Sequence, residues 1–390
     1  MSGWRLIAVL STLMAFASIS TDLFLPALPS MAVSLHAEAG TLELAISSFL
    51  VGFSLGQLFW GPISDRYGRK APTAAGLVLF VFGSVGCAMS GTTDALIGWR
   101  LVQALGASAS VVLARAMVRD LHGGKRAAEM MSTLMAIMAV APLLGPVVGG
   151  QILALGGWRT IFYSLAAIGV ATLVAVLTMP ETLPAERRRP SAASGIIEAY
   201  SCLARDRRVL RYAGAAGFFY GGTFAYVAAS PFAYISLHQV SPQAYGLLFG
   251  AGILGIMACT TANRRLVGRL GSNRLLVWGT AVAALASVAL AATAWTGFGG
   301  LAGLVIPMFL FVSVTGVIGA NAVTGVLAEH PDRAGAASAM FGAIQYGGGI
   351  LGSAVVGWLS DGTAAPMGTV VAIGGLGCFL CVGRLRSAKC

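Results

Sequence analysis

Apolar runs long enough to cross a bilayer recur along the whole chain, and no other feature constrains its fold as much. In the first half they cover Leu6–Leu25, Leu42–Ile63, Pro72–Ser90, Ala95–Val118, Met130–Leu155 and Trp158–Met179. In the second half they cover Tyr212–Ile235, Tyr245–Ala262, Leu275–Trp295, Gly300–Ala328, Ala334–Leu359 and Met367–Gly383. A hydrocarbon core about 30 Å thick is crossed by about 20 helical residues, so each run reads as one membrane-spanning helix. The expected fold is an all-α membrane protein of twelve spans. Composition agrees: 10% of the 390 residues are charged, 57% are hydrophobic and the mean hydropathy is +0.83. A soluble domain carries about 25% charged residues, which excludes that class.

The net charge of +11 would point to nucleic acid if the Lys and Arg formed one patch. They punctuate the apolar runs instead, and so act as topology signals. Twenty-three of the 25 fall on one side when the N-terminus, alternate loops and the C-terminus are counted together. Only Arg159 lies at the other surface and only Arg100 within a span, so both termini are expected in the cytoplasm. The first run leads directly into Asp22 and is read as an uncleaved span. The long connection Pro180–Arg211, with its ERRR and RDRR clusters, divides the chain into a six-helix bundle over 1–180, a cytoplasmic linker over 181–210 and a second six-helix bundle over 211–390. A faint repeat links the halves. At one shared offset, Arg66-Tyr67-Gly68 matches Arg269-Leu270-Gly271, and Gly145-Pro146-Val147-Val148-Gly149 matches Gly348-Gly349-Ile350-Leu351-Gly352, as in halves related by an axis along the membrane normal.

Asp22 lies seventeen residues after Arg5, roughly 25 Å along a helix axis. A carboxylate at that depth costs a few kcal/mol unless it faces protein or water, which makes it a functional candidate. The alternative is that Leu25, Pro26 and Pro29 already sit among headgroups and Asp22 snorkels outward. Arg100 lies about 8 Å below the periplasmic surface on a helix of opposite direction, at a depth similar to that of Asp22. Burial and a nearby guanidinium push a carboxyl in opposite directions, so proton occupancy at Asp22 can change as the helices shift. A fixed Asp22–Arg100 ion pair is the competing reading. His36, His122, His238 and His330 all fall in loops or helix ends. The six cysteines suggest no disulfide framework, and Cys378-x-x-Cys381 within an apolar span reads as packing, so no metal site is expected.

Gly61-Pro62-Ile63-Ser64-Asp65-Arg66-Tyr67-Gly68-Arg69-Lys70 follows the second span. This stretch resembles the signature loop of the major facilitator superfamily, close to G-x-L-S-D-R-x-G-R-K/R. Two further stretches are similar to motifs of its twelve-span drug:proton antiporters: Arg100-Leu101-Val102-Gln103-Ala104-Leu105-Gly106-Ala107, with Ala104 where Gly is usual, and Ala141-Pro142-Leu143-Leu144-Gly145-Pro146-Val147-Val148-Gly149-Gly150. Asp22-Leu23-Phe24-Leu25-Pro26-Ala27-Leu28-Pro29 and Val118-Arg119-Asp120 look like the bicyclomycin and chloramphenicol resistance branch, Bcr/CflA. The resemblance implies a major facilitator fold of two pseudo-symmetric bundles. It also implies a conformational latch at Gly61, Asp65, Arg66, Gly68, Arg69, Arg119 and Asp120, with Arg69 paired to Asp120. It makes Pro142, Gly145, Pro146, Gly149 and Gly150 the antiporter motif. These prolines lack a backbone donor, so that span is expected to be kinked and tightly packed.

The implied activity is proton-coupled export of small amphipathic antibiotics of amphenicol, bicyclomycin or sulfonamide type across a bacterial inner membrane, by a monomer. Phe219, Tyr220, Tyr226, Asn321 and Gln345 are the candidate cavity residues, since aromatics with few polar groups suit chemically diverse ligands. The proton is the one coupling ion expected. There is no phosphate-binding loop and no soluble domain for a nucleotide, so neither ATP nor another cofactor is expected. An intramembrane enzyme would need a catalytic pair or metal cluster within the spans. A metabolite exporter or nutrient symporter on the same fold is the second reading. The charge pattern predicts that Cys introduced at 238 labels from the periplasm and Cys at 330 from the cytoplasm. Membrane-impermeant thiol labelling in intact and opened cells checks both.

Overall fold

The computed structural model describes residues 3–121, 124–184, 186, 188, 201, 203–330 and 334–386. Most of the linker expected between the halves lies outside the described residues, as do His122, Arg187, Arg189, Cys202, Arg333, Lys389 and Cys390. In hydrocarbon each backbone N–H and C=O has to be satisfied within its own segment, and helix does this for runs of this length. The helices are α1 Gly3–Asp22, α2 Leu28–Ser34, α3 Ala39–Tyr67, α4 Lys70–Met89, α5 Thr93–Leu121, α6 Gly124–Leu177, α7 Arg207–Pro231, α8 Pro242–Leu270, α9 Ser272–Thr296, α10 Gly300–Ser313, α11 Thr315–Glu329, α12 Ala334–Leu359 and α13 Ala365–Arg386. The described residues contain no strand.

Among the described residues ten helical stretches are long and apolar enough to cross a membrane. One of them, Val140–Leu177, turns at Gly157, whose φ of 76° leaves the helical region. The 25-residue α7 is less apolar but long enough to span, so the twelve-span reading is consistent with this set. Pro142 and Pro146 lie in α6 without leaving helical dihedrals. The break in that rod is at Gly157, in the connection between the fifth and sixth spans.

The first span is longer than the expected Leu6–Leu25. α1 stops at Asp22, a short 3-10 turn covers Leu25–Ala27, and α2 carries the chain on to Ser34. Pro26 and Pro29 lack the N–H that continuous helix needs, which accounts for the break. Together they make a candidate span of 31 residues, Trp4–Ser34, with Leu25, Pro26, Ala27 and Leu28 buried. Asp22 therefore stands at the break in mid-span and is only 7% exposed, which rules out the snorkelling reading.

The chain divides into two compact units: residues 1–38, 48–192 and 242–247, and residues 39–47, 193–241 and 248–390. In the first, α4 packs on α5 and α6, and α1 packs on α5 and α6. In the second, α7 packs on α12 and α13, and α9 on α13, α10 and α11. The sequence repeat reappears as repeated packing. Gly145 and Gly149 of α6 abut Asp22 and Leu23 at the end of α1, while Gly348 and Gly352 of α12 abut Gly217 and Gly221 of α7. A Cβ at Gly149, Gly348 or Gly352 would strike a backbone carbonyl, so these helix pairs need glycine. Gly68 and Gly271, also matched by the repeat, both take positive φ, 89° and 78°, at the turns after α3 and α8.

At the start of α7, Asp206 caps the helix by accepting N–H bonds from Arg208 at 2.7 Å and Val209 at 3.4 Å. Its other oxygen lies 2.7 Å from His330 Nε2. Burial works to raise this carboxyl's pKa, but His330 and the two N–H groups outweigh it and hold the pKa below the usual range. A depressed carboxyl contributes stability above its unfolded pKa and loses it as pH falls through the folded one. Asp206→Ala is expected to cost about 1 kcal/mol near neutral pH. The gap from wild type should close as pH drops below about 4, read from thermal unfolding in detergent.

Candidate functional site

Two clusters of buried charge occupy the first unit. The first surrounds Arg100 of α5, which is fully buried. Its Nη1 donates to the Ser20 carbonyl at 3.0 Å and to Gln103 Oε1 at 2.6 Å. Gln103 Nε2 donates in turn to Ser84 Oγ at 2.8 Å, which ties α5 to α4. The guanidinium carbon lies 4.1 Å from the Phe24 ring centroid and 4.3 Å from that of Phe49, so the cation is held between two aromatic faces. Nε and Nη2 have no hydrogen-bond partner. Buried donors left open are rare.

Asp22 is two residues beyond the Ser20 carbonyl that Arg100 holds. Its Cβ rests against Gly145 of α6, where an added Cβ would come within 2.6 Å. Among the described residues Asp22 makes no hydrogen bond and no ion pair, so a fixed Asp22–Arg100 bridge is not formed here. A buried carboxyl without partners and a buried guanidinium with two open donors thus stand on neighbouring parts of one bundle. Gln103 and Ser20 are parts of this site that residue type alone did not single out. Gln103 did carry a signal, three residues after Arg100 on the same helix face.

The second cluster lies at the turn from α3 to α4. Arg69 is 4% exposed and bridges two acids: Nη1 to Asp65 Oδ1 at 2.7 Å and Nε to Asp120 Oδ2 at 2.7 Å, with a further bond to Ser64 Oγ. The positive φ of Gly68 turns the chain so that Arg69 points back into the bundle. Glu181, which reasoning from the signature loop did not find, completes the arrangement. It accepts from the N–H groups of Arg69 at 2.8 Å, Lys70 at 3.1 Å, Thr182 at 2.9 Å and Leu183 at 3.0 Å. Burial tends to raise its pKa, but these four donors prevail and hold it below the usual carboxylate range. It also places a negative charge at the N-terminus of α4, where the helix dipole favours one. Gly61 is half-buried, whereas Arg66 and Arg119 are exposed and stand outside the Arg69 network.

Pro142 is half-buried, and Pro146, Gly145, Gly149 and Gly150 are buried. Besides seating α1, this stretch receives the first turn of α8: Gly246 lies against Pro146 and Val147, and Gly150 against Pro242.

The five cavity candidates separate. Phe219 is fully buried and stacks on Phe311 at 4.7 Å, as a packing residue. Asn321 is 2% exposed with its amide satisfied, donating to Asn263 Oδ1 at 2.7 Å and the Val317 carbonyl at 2.8 Å and accepting from Ser272 Oγ at 2.9 Å. Both of its donors and one of its two acceptor sites are thus engaged within the protein. Tyr226 stacks on Phe249 at 5.8 Å, while Tyr220 meets Phe224 at 6.1 Å and Tyr346 at 6.2 Å, with half-buried Gln345 next in sequence to Tyr346.

Buried charges held between helices of a polytopic bundle are the equipment of a transporter, and the chain is one of that class. It belongs to the major facilitator superfamily, whose family model matches residues 10–353. It is 36% identical over 369 residues to the uncharacterized MFS-type transporter YdgK of Bacillus subtilis (strain 168), covering 93% of this chain and 90% of that one. It is 30% identical over 363 residues to a bicyclomycin resistance protein homolog of Haemophilus influenzae, with coverage of 93% and 90%. A chloramphenicol resistance protein of Pseudomonas aeruginosa is 28% identical over 397 residues, with coverage of 98% and 91%. In fold, the chain is similar to the xylose transporter XylE from E. coli, with a TM-score of 0.75, 15% identity and coverage of 99% and 98%.

Arg69→Ala leaves Asp120 without its partner in a largely buried place and is expected to cost about 3 kcal/mol of stability. Asp65→Asn, at a carboxyl that is 46% exposed, is expected to cost less than about 1 kcal/mol. Thermal unfolding of the two purified variants in one detergent tests the ranking.

Proposed function

We propose that the chain is a proton-coupled exporter of small amphipathic drugs, working by alternating access in a bacterial inner membrane with both termini in the cytoplasm. The observation that carries the reading is Asp22: a buried, unpartnered carboxyl at the break in the first span, seated on Gly145 of the proline-glycine stretch and close in sequence to the carbonyl held by Arg100. The names of the resistance-protein relatives support drugs as the substrate class. Amphenicols and bicyclomycin-like compounds are the first candidates.

In this mechanism Asp22 carries the proton. While protonated, it is tolerated in the apolar break between α1 and α2. When the helices shift and a drug enters, the proton leaves, and the carboxylate finds the open Nε and Nη2 donors of Arg100. Drug and proton then displace each other because they favour different states of one equilibrium. The membrane potential adds about 2.3 kcal/mol per charge per 100 mV, enough to drive a neutral or monocationic drug uphill against entering protons. We assign Arg69, Asp65 and Asp120, with Glu181 behind them, to the latch that sets the balance between states. Residues 1–180 and 211–390 act as the two moving halves of a monomer, and Tyr220, Tyr226 and Gln345 remain the candidate drug contacts.

Proteoliposomes with an imposed pH gradient test this. Addition of chloramphenicol or bicyclomycin should trigger proton release in wild type and none in Asp22→Asn, although the variant inserts and folds. Unchanged coupling in Asp22→Asn would remove Asp22 from the mechanism, and silence of the wild type with a broad drug panel would overturn drug antiport.

A further inference from the structure

Asp22 is not the only buried carboxyl in a span. Glu43, in the second turn of α3, is 2% exposed, and its Oε2 has no hydrogen-bond partner. It lies on the helix face that also carries Gly40 and Ser47, at the i, i+3, i+7 spacing of a single stripe. This part of α3 packs within the second unit. Facing it are Ser353 and Gly357 of α12, with Ser360 just past the end of that helix. A Cβ on Gly40 would collide with the Gly357 carbonyl, and one on Gly357 would come within 2.8 Å of the Gly40 carbonyl and 3.3 Å of Glu43 Cβ. Ser47 Oγ and Ser353 Oγ share a hydrogen bond of 2.8 Å. The two backbones are therefore about as close as helices can come, and Glu43 is enclosed in that contact.

The charge inventory around it is short. α12 carries no ionisable residue between Ala334 and Leu359 other than Tyr346. Beyond its end, Asp361 is exposed and accepts bonds from the N–H and hydroxyl of Thr363. On the α3 side, the nearest charge along the chain is Glu38 at the N-cap, also exposed. Among the described residues no cation is thus at hand along this stripe to neutralise a Glu43 carboxylate. An ion buried without a partner costs several kcal/mol, so the closed contact accepts the neutral acid and rejects the anion.

We propose that Glu43 is a second proton-binding site, and that its protonation is the condition for the α3–α12 seam to close. When the seam parts, water reaches the carboxyl, its O–H bond breaks, the proton passes to water and the solvated carboxylate remains. Re-closing requires the proton to return. The inference rests on the transporter reading only for the expectation that the seam opens in the working cycle, and it requires no particular drug.

The test uses the full-length protein in liposomes with no drug added. Infrared difference spectra across a pH titration should show a protonated-carboxyl band that persists in Asp22→Asn and disappears when Glu43→Gln is added. Spin labels at residues 39 and 359 should move apart as pH rises in wild type and stay at the short distance at every pH in Glu43→Gln. Identical carboxyl spectra for Asp22→Asn and the double variant, or the same pH-dependent separation in Glu43→Gln, would overturn the proposal. If the Glu43 band and distance change appear while drug-triggered proton release fails, the drug-export reading falls and the proton site stands.

Discussion

A charge placed in hydrocarbon has to be enclosed, paired or neutralised, and much of this molecule's internal architecture follows from that requirement. Arg100 is enclosed by two phenyl faces and the Gln103–Ser84 pair. Arg69 is neutralised by two carboxylates at the end of a span. Asp22 and Glu43 are buried, and among the described residues neither Asp22 nor Glu43 Oε2 has a partner. Burial of this kind favours the neutral acid, and on that the proton coupling proposed above depends. The remainder of the bundle presents apolar side chains outward, with Leu155 88% exposed and Trp358 84% exposed, as a lipid-facing surface should.

Glycine supplies the second half of the design. Without a hydrophobic drive between helices in lipid, association depends on close packing, and small residues allow it. The same device serves two purposes here. Between α7 and α12, Gly217, Gly221, Gly348 and Gly352 bring two backbones together. Between α6 and α1, Gly145 and Gly149 leave room for the break after Asp22, so the stretch that packs the bundle also determines where the carboxyl lies. A larger residue at 145 would displace Asp22 itself, which gives the proline-glycine stretch a direct physical link to that carboxyl.

The twelve apolar runs, the turn glycines Gly68 and Gly271 and the placement of Asp22 and Arg100 inside spans were legible in the residues, because hydropathy, charge placement and positive φ are local properties. The family resemblance added the relation of Arg69 to Asp120, fifty-one residues apart in sequence. Partners at long separation were much less visible. Glu181 lies in a stretch that reads as a charged linker, yet it caps α4. Asn321 reads as a lone polar group in a span and proves to be held by Asn263, Ser272 and a backbone carbonyl. Glu43 stands near the start of an apolar run, where it passes for a surface residue until α12 covers it.

By itself, then, the sequence determined that this chain is helical, membrane-spanning, twofold repeated and equipped with ionisable groups inside its spans, since each of these follows from residue type and local spacing. Only the tertiary structure decided which of those groups are paired and which are left alone. That Arg100 holds the Ser20 carbonyl and not Asp22, that Arg69 joins two acids, and that Glu43 is shut against Gly357 depend on helix faces meeting across long sequence separations. The energy of a buried charge is set by the neighbours such packing brings to it.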